Sequence, residues 1–119
     1  MTPPALRPTG DPDAPALTHR GRTWTYRQFA ELMAAAPGGA ITDISRMPLP
    51  EALAACFAAA ARGEAVLVSD PELPAAHVGA VPDGTWLLAS TSGTSGHPRV
   101  ICRTAASWAA SVTSLAVAA

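Results

Sequence analysis

One stretch of nine residues has the composition of an anion-binding loop. Residues 91–99 read TSGTSGHPR and combine four hydroxyl side chains with two glycines, followed by a proline and an arginine. Glycine lets the backbone curve with its N–H groups pointing inward, and short hydroxyl groups add hydrogen-bond donors around the same concavity. The planar guanidinium of Arg99 can contact two phosphate oxygens together. The stretch therefore predicts a polyphosphate site formed by Thr91, Ser92, Gly93, Thr94, Ser95, Gly96 and Arg99.

Two better-known glycine-containing motifs do not fit this stretch. A Walker loop needs Lys and then Ser or Thr after its last glycine, whereas Gly96 is followed by His97 and Pro98. A nucleophile elbow, G-x-S-x-G, needs glycine where His97 stands. The alternative is a polar surface turn, because Ser, Thr, Gly and Pro often cluster in loops between strands. A turn needs only one or two such residues, however, and does not require two Ser/Thr-Gly units before a proline and a basic residue.

The cysteines and histidines form no disulfide or metal-binding pattern. Cys56 and Cys102 have no C-x-x-C spacing and no histidine at metal-ligand spacing, so both are expected to be buried thiols. The histidines are scattered along the chain, and no catalytic role is assigned to His97. No residue is predicted to ligate a metal ion directly.

The composition limits the classes of protein to which the chain can belong. The 119 residues amount to one domain or less, with a net charge of -1 and only 14% charged residues. This balance disfavours a disordered tail and a nucleic-acid-binding protein that neutralises phosphates. Alanine dominates the hydrophobic fraction and aromatic residues are 5%, so the core is expected to bury little area. The tryptophans are expected in that core rather than as base-stacking platforms; they are Trp24, Trp86 and Trp108.

The two ends of the chain carry no targeting or membrane signal. Residues 1–14 are predicted to be an extended, proline-rich leader, without the basic patch and apolar run of a signal peptide. The apolar stretch from Ala105 to Ala119 is shorter than the roughly 20 residues that a bilayer span requires. No membrane span is expected, and the predicted location is the cytoplasm.

The elements that must position the glycine-rich stretch begin with a hairpin and a helix. The hairpin is expected over residues 16–25, because Gly21 can supply the positive φ of a tight turn. Thr25 and Gln28 then form the S/T-x-x-E/Q capping box of a first helix, which ends before Pro37.

A second helix is expected to begin at Pro50 and to end at Gly63. Its packed face is predicted to contain Leu53, Phe57 and Ala60. A third helix is predicted after Thr104, which can cap it. The apolar stripe of the third helix comprises Trp108, Val112 and Leu115.

Four further strands are expected, at residues 40–44, 65–69, 85–90 and 100–102. The run AVLVS at 65–69 is apolar throughout, which is typical of a strand covered on both faces. A loop follows at residues 71–84, in which Asp70 and Pro71 mark the turn. The glycine-rich stretch is expected to be an exposed loop between two antiparallel strands.

The stretch TSGTSGHPR resembles the phosphate-binding loop of the adenylate-forming superfamily, whose usual form is T-S-G-T-T-G-x-P-K. This superfamily includes acyl-CoA synthetases, the adenylation domains of nonribosomal peptide synthetases, and luciferases. Residues 15–32, PALTHRGRTWTYRQFAEL, are similar to its N-terminal hairpin and W-T-Y-x-E/Q-L helix. Residues 51–74, ending GEAVLVSDPELP, are similar to its A-x-x-x-A-G-A-x-x-V-P-L-x-P-x-x-P segment. Two features depart from the pattern: Arg99 replaces the usual Lys, and the stretch between Pro74 and Thr85 is shorter than in typical members.

The resemblance implies an α/β fold with short strands, about three helices and a Ser/Thr/Gly phosphate-binding loop. Residues 1–119 would be a partial, N-terminal piece of an adenylation domain. The implied activity is that of an ATP-dependent carboxylic acid ligase, which forms an acyl adenylate and transfers the acyl group to the thiol of coenzyme A or of a carrier phosphopantetheine. The implied ligands are ATP with Mg²⁺ and a carboxylic acid, and a carrier protein can be the partner that bears the thiol. In this scheme residues 91–96 hold the β and γ phosphates, and Arg99 stabilises their charge.

The superfamily's motifs for adenine, Mg²⁺ and ribose, and its C-terminal lysine, have no counterpart in these 119 residues. We therefore assign no catalytic residue and expect the 119 residues alone to lack adenylation activity. The alternative is a noncatalytic remnant, or a nucleotide-binding module, of the same ancestry.

Overall fold

The computed structural model describes residues 8–69, 81–91 and 99–109, which form a mixed α/β structure with two sheets and three helices. The smaller sheet pairs β1 (Pro15–His19) with β2 (Arg22–Thr25) and leads into helix α1 (Tyr26–Ala35). The larger sheet contains β3 (Ile41–Asp43), β4 (Ala65–Val68), β5 (Thr85–Thr91) and β6 (Arg99–Thr104), in that order. Helix α2 (Leu49–Arg62) connects β3 to β4, and helix α3 is described over residues 105–109.

The expected hairpin and the start of the first helix are confirmed. The hairpin turn places Arg20 at φ 51° and Gly21 at φ 81°, the left-handed region that a two-residue turn requires. Thr25 Oγ1 accepts a hydrogen bond from the Gln28 N–H at 3.2 Å, and Gln28 Oε1 accepts one from the Thr25 N–H at 2.9 Å. Both halves of the capping box are therefore present.

The segment before the hairpin packs onto α1. The stretch predicted to be an extended leader contains a turn, in which the Ala14 N–H donates to the Asp11 carbonyl at 3.0 Å. The Pro12 carbonyl accepts from the Arg27 N–H at 3.0 Å, which ties this turn to the first turn of the helix. Residues 1–7 lie outside the described residues.

The exit from α1 is held by side chains from the end of α2. The Arg62 guanidinium donates to the Ala36 carbonyl at 3.0 Å and to the Met33 carbonyl at 3.3 Å, two carbonyls at the C-terminal end of α1. The Glu64 carboxylate accepts from the Gly39 N–H at 3.2 Å. Because helix ends leave carbonyls without helical partners, Arg62 acts as a cap supplied by another helix.

The most deeply buried residues of helix α2 are mainly alanines, whereas the face predicted from larger residues is half-buried. It begins at Leu49, one residue before the expected start, and ends at Arg62, with Gly63 as its C-cap at φ 70°. Leu53, Phe57 and Ala60 are only half-buried. The most buried positions are Pro50, Ala54, Ala55, Ala58 and Ala59. The predicted face does pack, since Phe57 meets Phe29 of α1 and Ala60 packs against the buried core. The alanine positions are buried more deeply because small side chains let a helix approach its neighbours closely.

The larger sheet combines parallel and antiparallel pairs. Strands β3, β4 and β5 are parallel, and β6 runs antiparallel to β5. Val66 is fully buried and Trp86 is 6% exposed in a core that also contains Ile44, Ala55 and Ala59. The Trp86 Nε1–H donates to the backbone carbonyl of Cys56 at 2.8 Å, which links β5 to the middle of α2.

Three predictions of burial are wrong in part. Val68 is 40% exposed, so the strand expected at 65–69 is covered only over its first half. Trp108 is 38% exposed: its ring contacts Trp86 edge-on at 5.9 Å between centroids. Cys102 is exposed on β6, whereas Cys56 is half-buried and burial raises the pKa of its thiol. Cys102 lies on β6, the outermost strand of the described sheet.

The expected start of the third helix is confirmed. Thr104 Oγ1 accepts from the Ser107 N–H at 3.0 Å, the hydrogen bond of an N-cap. Val112 and Leu115 of the predicted stripe lie outside the described residues, as do Asp70 and Pro71 of the predicted turn. Over the described ranges, no helix combines the length and the hydrophobicity needed to cross a membrane.

The alanine face of α2 predicts an asymmetry between two positions of that helix. Ala55 is 2% exposed whereas Ala61 is exposed. Ala55→Leu should lower the free energy of unfolding by about 1–3 kcal/mol, because added methylenes must displace the neighbouring strands. Ala61→Leu is the matched control and should change it by less than about 0.5 kcal/mol. Urea denaturation measures both variants, and equal effects would contradict close packing at Ala55.

Candidate phosphate-binding site

The two ends of the glycine-rich stretch meet in the sheet. Thr91 is the last residue of β5 and Arg99 the first residue of β6, and the register pairs them directly. The sequence had placed both in the loop, so each strand extends one residue further into the stretch than expected. The prediction that two antiparallel strands flank the loop is confirmed. The remaining predicted site residues lie outside the described residues; they are Ser92, Gly93, Thr94, Ser95 and Gly96.

The parallel strands end at the same edge of the sheet, here called the carboxyl edge. This edge contains the ends of β3 at Asp43, β4 at Val68 and β5 at Thr91. In open α/β sheets, ligands bind outside the carboxyl ends of the strands. The connection from β5 to β6 leaves from this edge, where a ligand-binding loop is expected.

A row of serines borders the carboxyl edge, and the sequence analysis missed it. The register pairs Asp43 with Leu67 and Val68 with Ala89. Continuing both pairings toward the carboxyl ends aligns Ser45, Ser69 and Ser90 across β3, β4 and β5. All three are half-buried. Ser90 directly precedes Thr91, so the serine row lies beside the start of the glycine-rich stretch.

Hydrogen bonds connect part of the serine row to a carboxylate. The Ser69 N–H donates to Ser45 Oγ at 2.8 Å, and the two hydroxyl oxygens are 3.2 Å apart. The Ser45 N–H donates to Asp43 Oδ1 at 2.9 Å. The hydroxyl and the N–H of Ser45 together lower the pKa of Asp43, with a smaller contribution from the charge of Arg46. Asp43 is therefore an ionised acceptor at neutral pH.

A local signal in the sequence could have revealed this cluster. Asp43, Ile44 and Ser45 follow a short apolar strand, and an Asp two residues before a serine often accepts a hydrogen bond from its backbone in an Asx turn. Pairing with Ser69, 24 residues further along the chain, depends on the parallel register of β3 and β4. That register cannot be read from either strand alone.

A cavity lies away from the carboxyl edge and is not the candidate phosphate site. It has a volume of about 590 Å³ and lies between the segment at Gly10 and Pro12 and the α1 residues Tyr26, Arg27, Ala30, Glu31 and Ala34. Its lining is mostly apolar and includes none of the carboxyl-edge residues. Its arginine forms an ion pair with Asp13 at 3.2 Å.

The residues that the structure describes contain no group of three or more His, Cys, Asp or Glu side chains placed to hold a metal ion. Proteins often bind Mg²⁺ through only one or two carboxylates together with the phosphates of the substrate.

Comparisons of the chain with protein-family models, with curated proteins and with solved structures each find no match. The function is therefore argued from the motif and from the carboxyl edge that its ends occupy.

The bonds from Ser45 to Asp43 predict a pH-dependent contribution to stability. The pKa of Asp43 is lower in the folded chain than in the unfolded chain. The ionised carboxylate therefore contributes fully to the free energy of unfolding when the pH is above the unfolded pKa, and this contribution disappears as the pH falls through the folded pKa. Asp43→Asn should cost less than about 1 kcal/mol at pH 7, since the group is largely exposed. The difference from the wild type should shrink below about pH 4. Urea denaturation between pH 3 and pH 7 measures it, and a constant difference would contradict the lowered pKa.

Proposed function

We propose that the chain contributes the triphosphate-binding loop of an ATP-dependent carboxylic acid ligase that forms acyl adenylates. The observation that carries this proposal is the pairing of Thr91 with Arg99 at the carboxyl edge. A connection that leaves and re-enters the sheet at one point, and that contains Gly93 and Gly96, can close its N–H groups around a phosphate. The motif's resemblance to the adenylate-forming superfamily supports the same reaction.

In this proposal the loop binds the end of ATP that becomes the leaving group. Residues 91–96 hold the β and γ phosphates, and Arg99 balances their charge. A carboxylate oxygen of the acid attacks the α-phosphorus, the bond from the α-phosphorus to the bridging oxygen breaks, and its electron pair leaves with pyrophosphate. Donors that are already aligned with the β and γ phosphates stabilise the charge that develops there. The loop positions pyrophosphate and does not attack the substrate.

The second half of the proposed reaction requires a thiol. The thiol of coenzyme A or of a carrier phosphopantetheine attacks the acyl carbon of the adenylate, and AMP leaves. Mg²⁺ accompanies ATP and neutralises part of the phosphate charge. The carboxylic acid, ATP and the thiol are thus the proposed ligands, and a carrier protein is the proposed partner where the thiol is phosphopantetheine.

The proposed phosphate-binding role of Arg99 can be tested by binding alone, without measuring catalytic turnover. In calorimetric titrations with inorganic tripolyphosphate, Arg99→Ala should weaken binding by about tenfold or more, because a hydrogen-bonded charge is lost. Arg99→Lys should lose less, since it keeps the charge and loses only the planar geometry. Arg22→Ala is the matched control, because Arg22 stacks on Trp24 at 4.5 Å in the hairpin, and it should bind like the wild type.

Two outcomes would contradict the proposal: no binding of tripolyphosphate by the wild type, or equal affinities for the Arg99 variants and the wild type. Acid-dependent exchange of pyrophosphate into ATP, measured on the product of the complete reading frame, separates a ligase from a nucleotide-binding module. The module would bind ATP without exchange.

A further inference from the structure

The cavity of about 590 Å³ beside α1 lies between two walls. The first wall is the row Tyr26, Ala30 and Ala34, whose i, i+4 spacing places the three side chains on one stripe of the helix. The second wall is the segment that contains Gly10 and Pro12. Small-molecule sites in proteins are concave and mostly apolar, with a few polar groups that orient the ligand. The cavity has the size and the lining of such a site.

The second wall is fixed against the helix by hydrogen bonds and by close packing. The Pro12 carbonyl accepts from the Arg27 N–H at 3.0 Å, and the Ala14 carbonyl accepts from the Tyr26 N–H at 3.1 Å. Both donors belong to the first turn of α1, whose N–H groups have no partner within the helix. Gly10 lies directly on the Tyr26 ring, since a Cβ at this position would be 2.7 Å from Tyr26 Cζ. The cavity is therefore formed by the fold itself.

One charged group at the cavity lacks a counter-ion. Arg27 and Glu31 are four residues apart on α1, a spacing at which an ion pair can form. The Arg27 guanidinium pairs instead with Asp13, at 3.2 Å. Among the residues that the structure describes, no hydrogen-bond or ion-pair partner is found for the Glu31 carboxylate. With Asp11 in the second wall, three carboxylates and one guanidinium surround the cavity, and their net charge is negative.

We propose that this cavity binds a small organic ammonium compound, whose apolar body lies along the helix stripe and whose ammonium group pairs with Glu31. An ammonium group only donates hydrogen bonds and a carboxylate only accepts them, so the two are complementary. An inorganic cation would leave the apolar lining without a partner, and an anionic ligand would be repelled by Glu31. The cavity shares no residue with the carboxyl edge, so this inference goes beyond the proposed function and does not rest on it.

The experiment uses three ligands that share one apolar body and differ in charge. Phenethylammonium, phenethyl alcohol and hydrocinnamate carry an ammonium, a hydroxyl and a carboxylate on the same phenethyl group. Each is titrated calorimetrically into the full chain. The wild type should bind the ammonium about three- to fivefold more tightly than the alcohol, which is the effect of one solvent-exposed ion pair, and should bind the carboxylate most weakly.

Substitutions of Glu31 assign this preference to one group. Glu31→Gln removes the charge and keeps the shape, so it should lower the affinity for the ammonium to that for the alcohol and leave the alcohol unchanged. Glu31→Lys should reverse the preference and bind hydrocinnamate more tightly than phenethylammonium. Glu51→Gln is the matched control, because it removes an equal charge from an exposed position in the first turn of α2. It should bind all three ligands like the wild type.

Three outcomes would overturn the inference. The first is that the wild type binds none of the three ligands or binds all three equally. The second is that Glu31→Gln and Glu51→Gln have equal effects, since the preference would then follow the net charge of the chain. The third is that the wild type self-associates in sedimentation equilibrium and Glu31→Lys abolishes the association, because a second copy of the chain would then occupy the cavity. Glu31 is exposed, so its variants should retain the wild-type urea denaturation curve.

Discussion

The close contact between the alanine face of α2 and the large sheet is the constraint on which the rest of the structure depends. Ala55 and Ala59 lie against Val66 and Trp86 in one buried cluster. The Trp86 indole then reaches a backbone carbonyl of α2, at Cys56. Aromatic residues make up only 5% of the chain, and alanine side chains fill much of the contact between the helix and the strands. A bulkier residue on this face would separate α2 from the strands whose carboxyl ends form the candidate site.

The same helix joins the two halves of the chain. Arg62 and Glu64, at the end of α2 and just beyond it, hold the carbonyls at the end of α1 and the N–H of Gly39. Phe57 of α2 also meets Phe29 of α1 edge-on, at 6.0 Å between ring centroids. The hairpin and α1 are thus fixed relative to β3. The position of β3 in turn sets where Asp43 and Ser45 lie at the carboxyl edge.

The candidate site combines two kinds of hydrogen-bonding group at one edge. The first and last residues of the glycine-rich stretch, Thr91 and Arg99, pair at a single point of the sheet. The serine row beside it is joined by hydrogen bonds from Asp43 through Ser45 to Ser69.

Local signals in the sequence determined the elements whose causes are local: the Gly21 turn, the Thr25–Gln28 capping box, the Thr104 cap and the strands that flank the glycine-rich stretch. The tertiary structure alone decided that Ala55 and Ala59, rather than Leu53 and Phe57, form the buried face of α2, and that Val68, Cys102 and Trp108 are exposed. It also decided that Ser45 and Ser69 meet. Turns and caps depend on residues within a few positions of one another, whereas burial and cross-strand contacts depend on which segments pair and in what register, information that is spread over the whole chain.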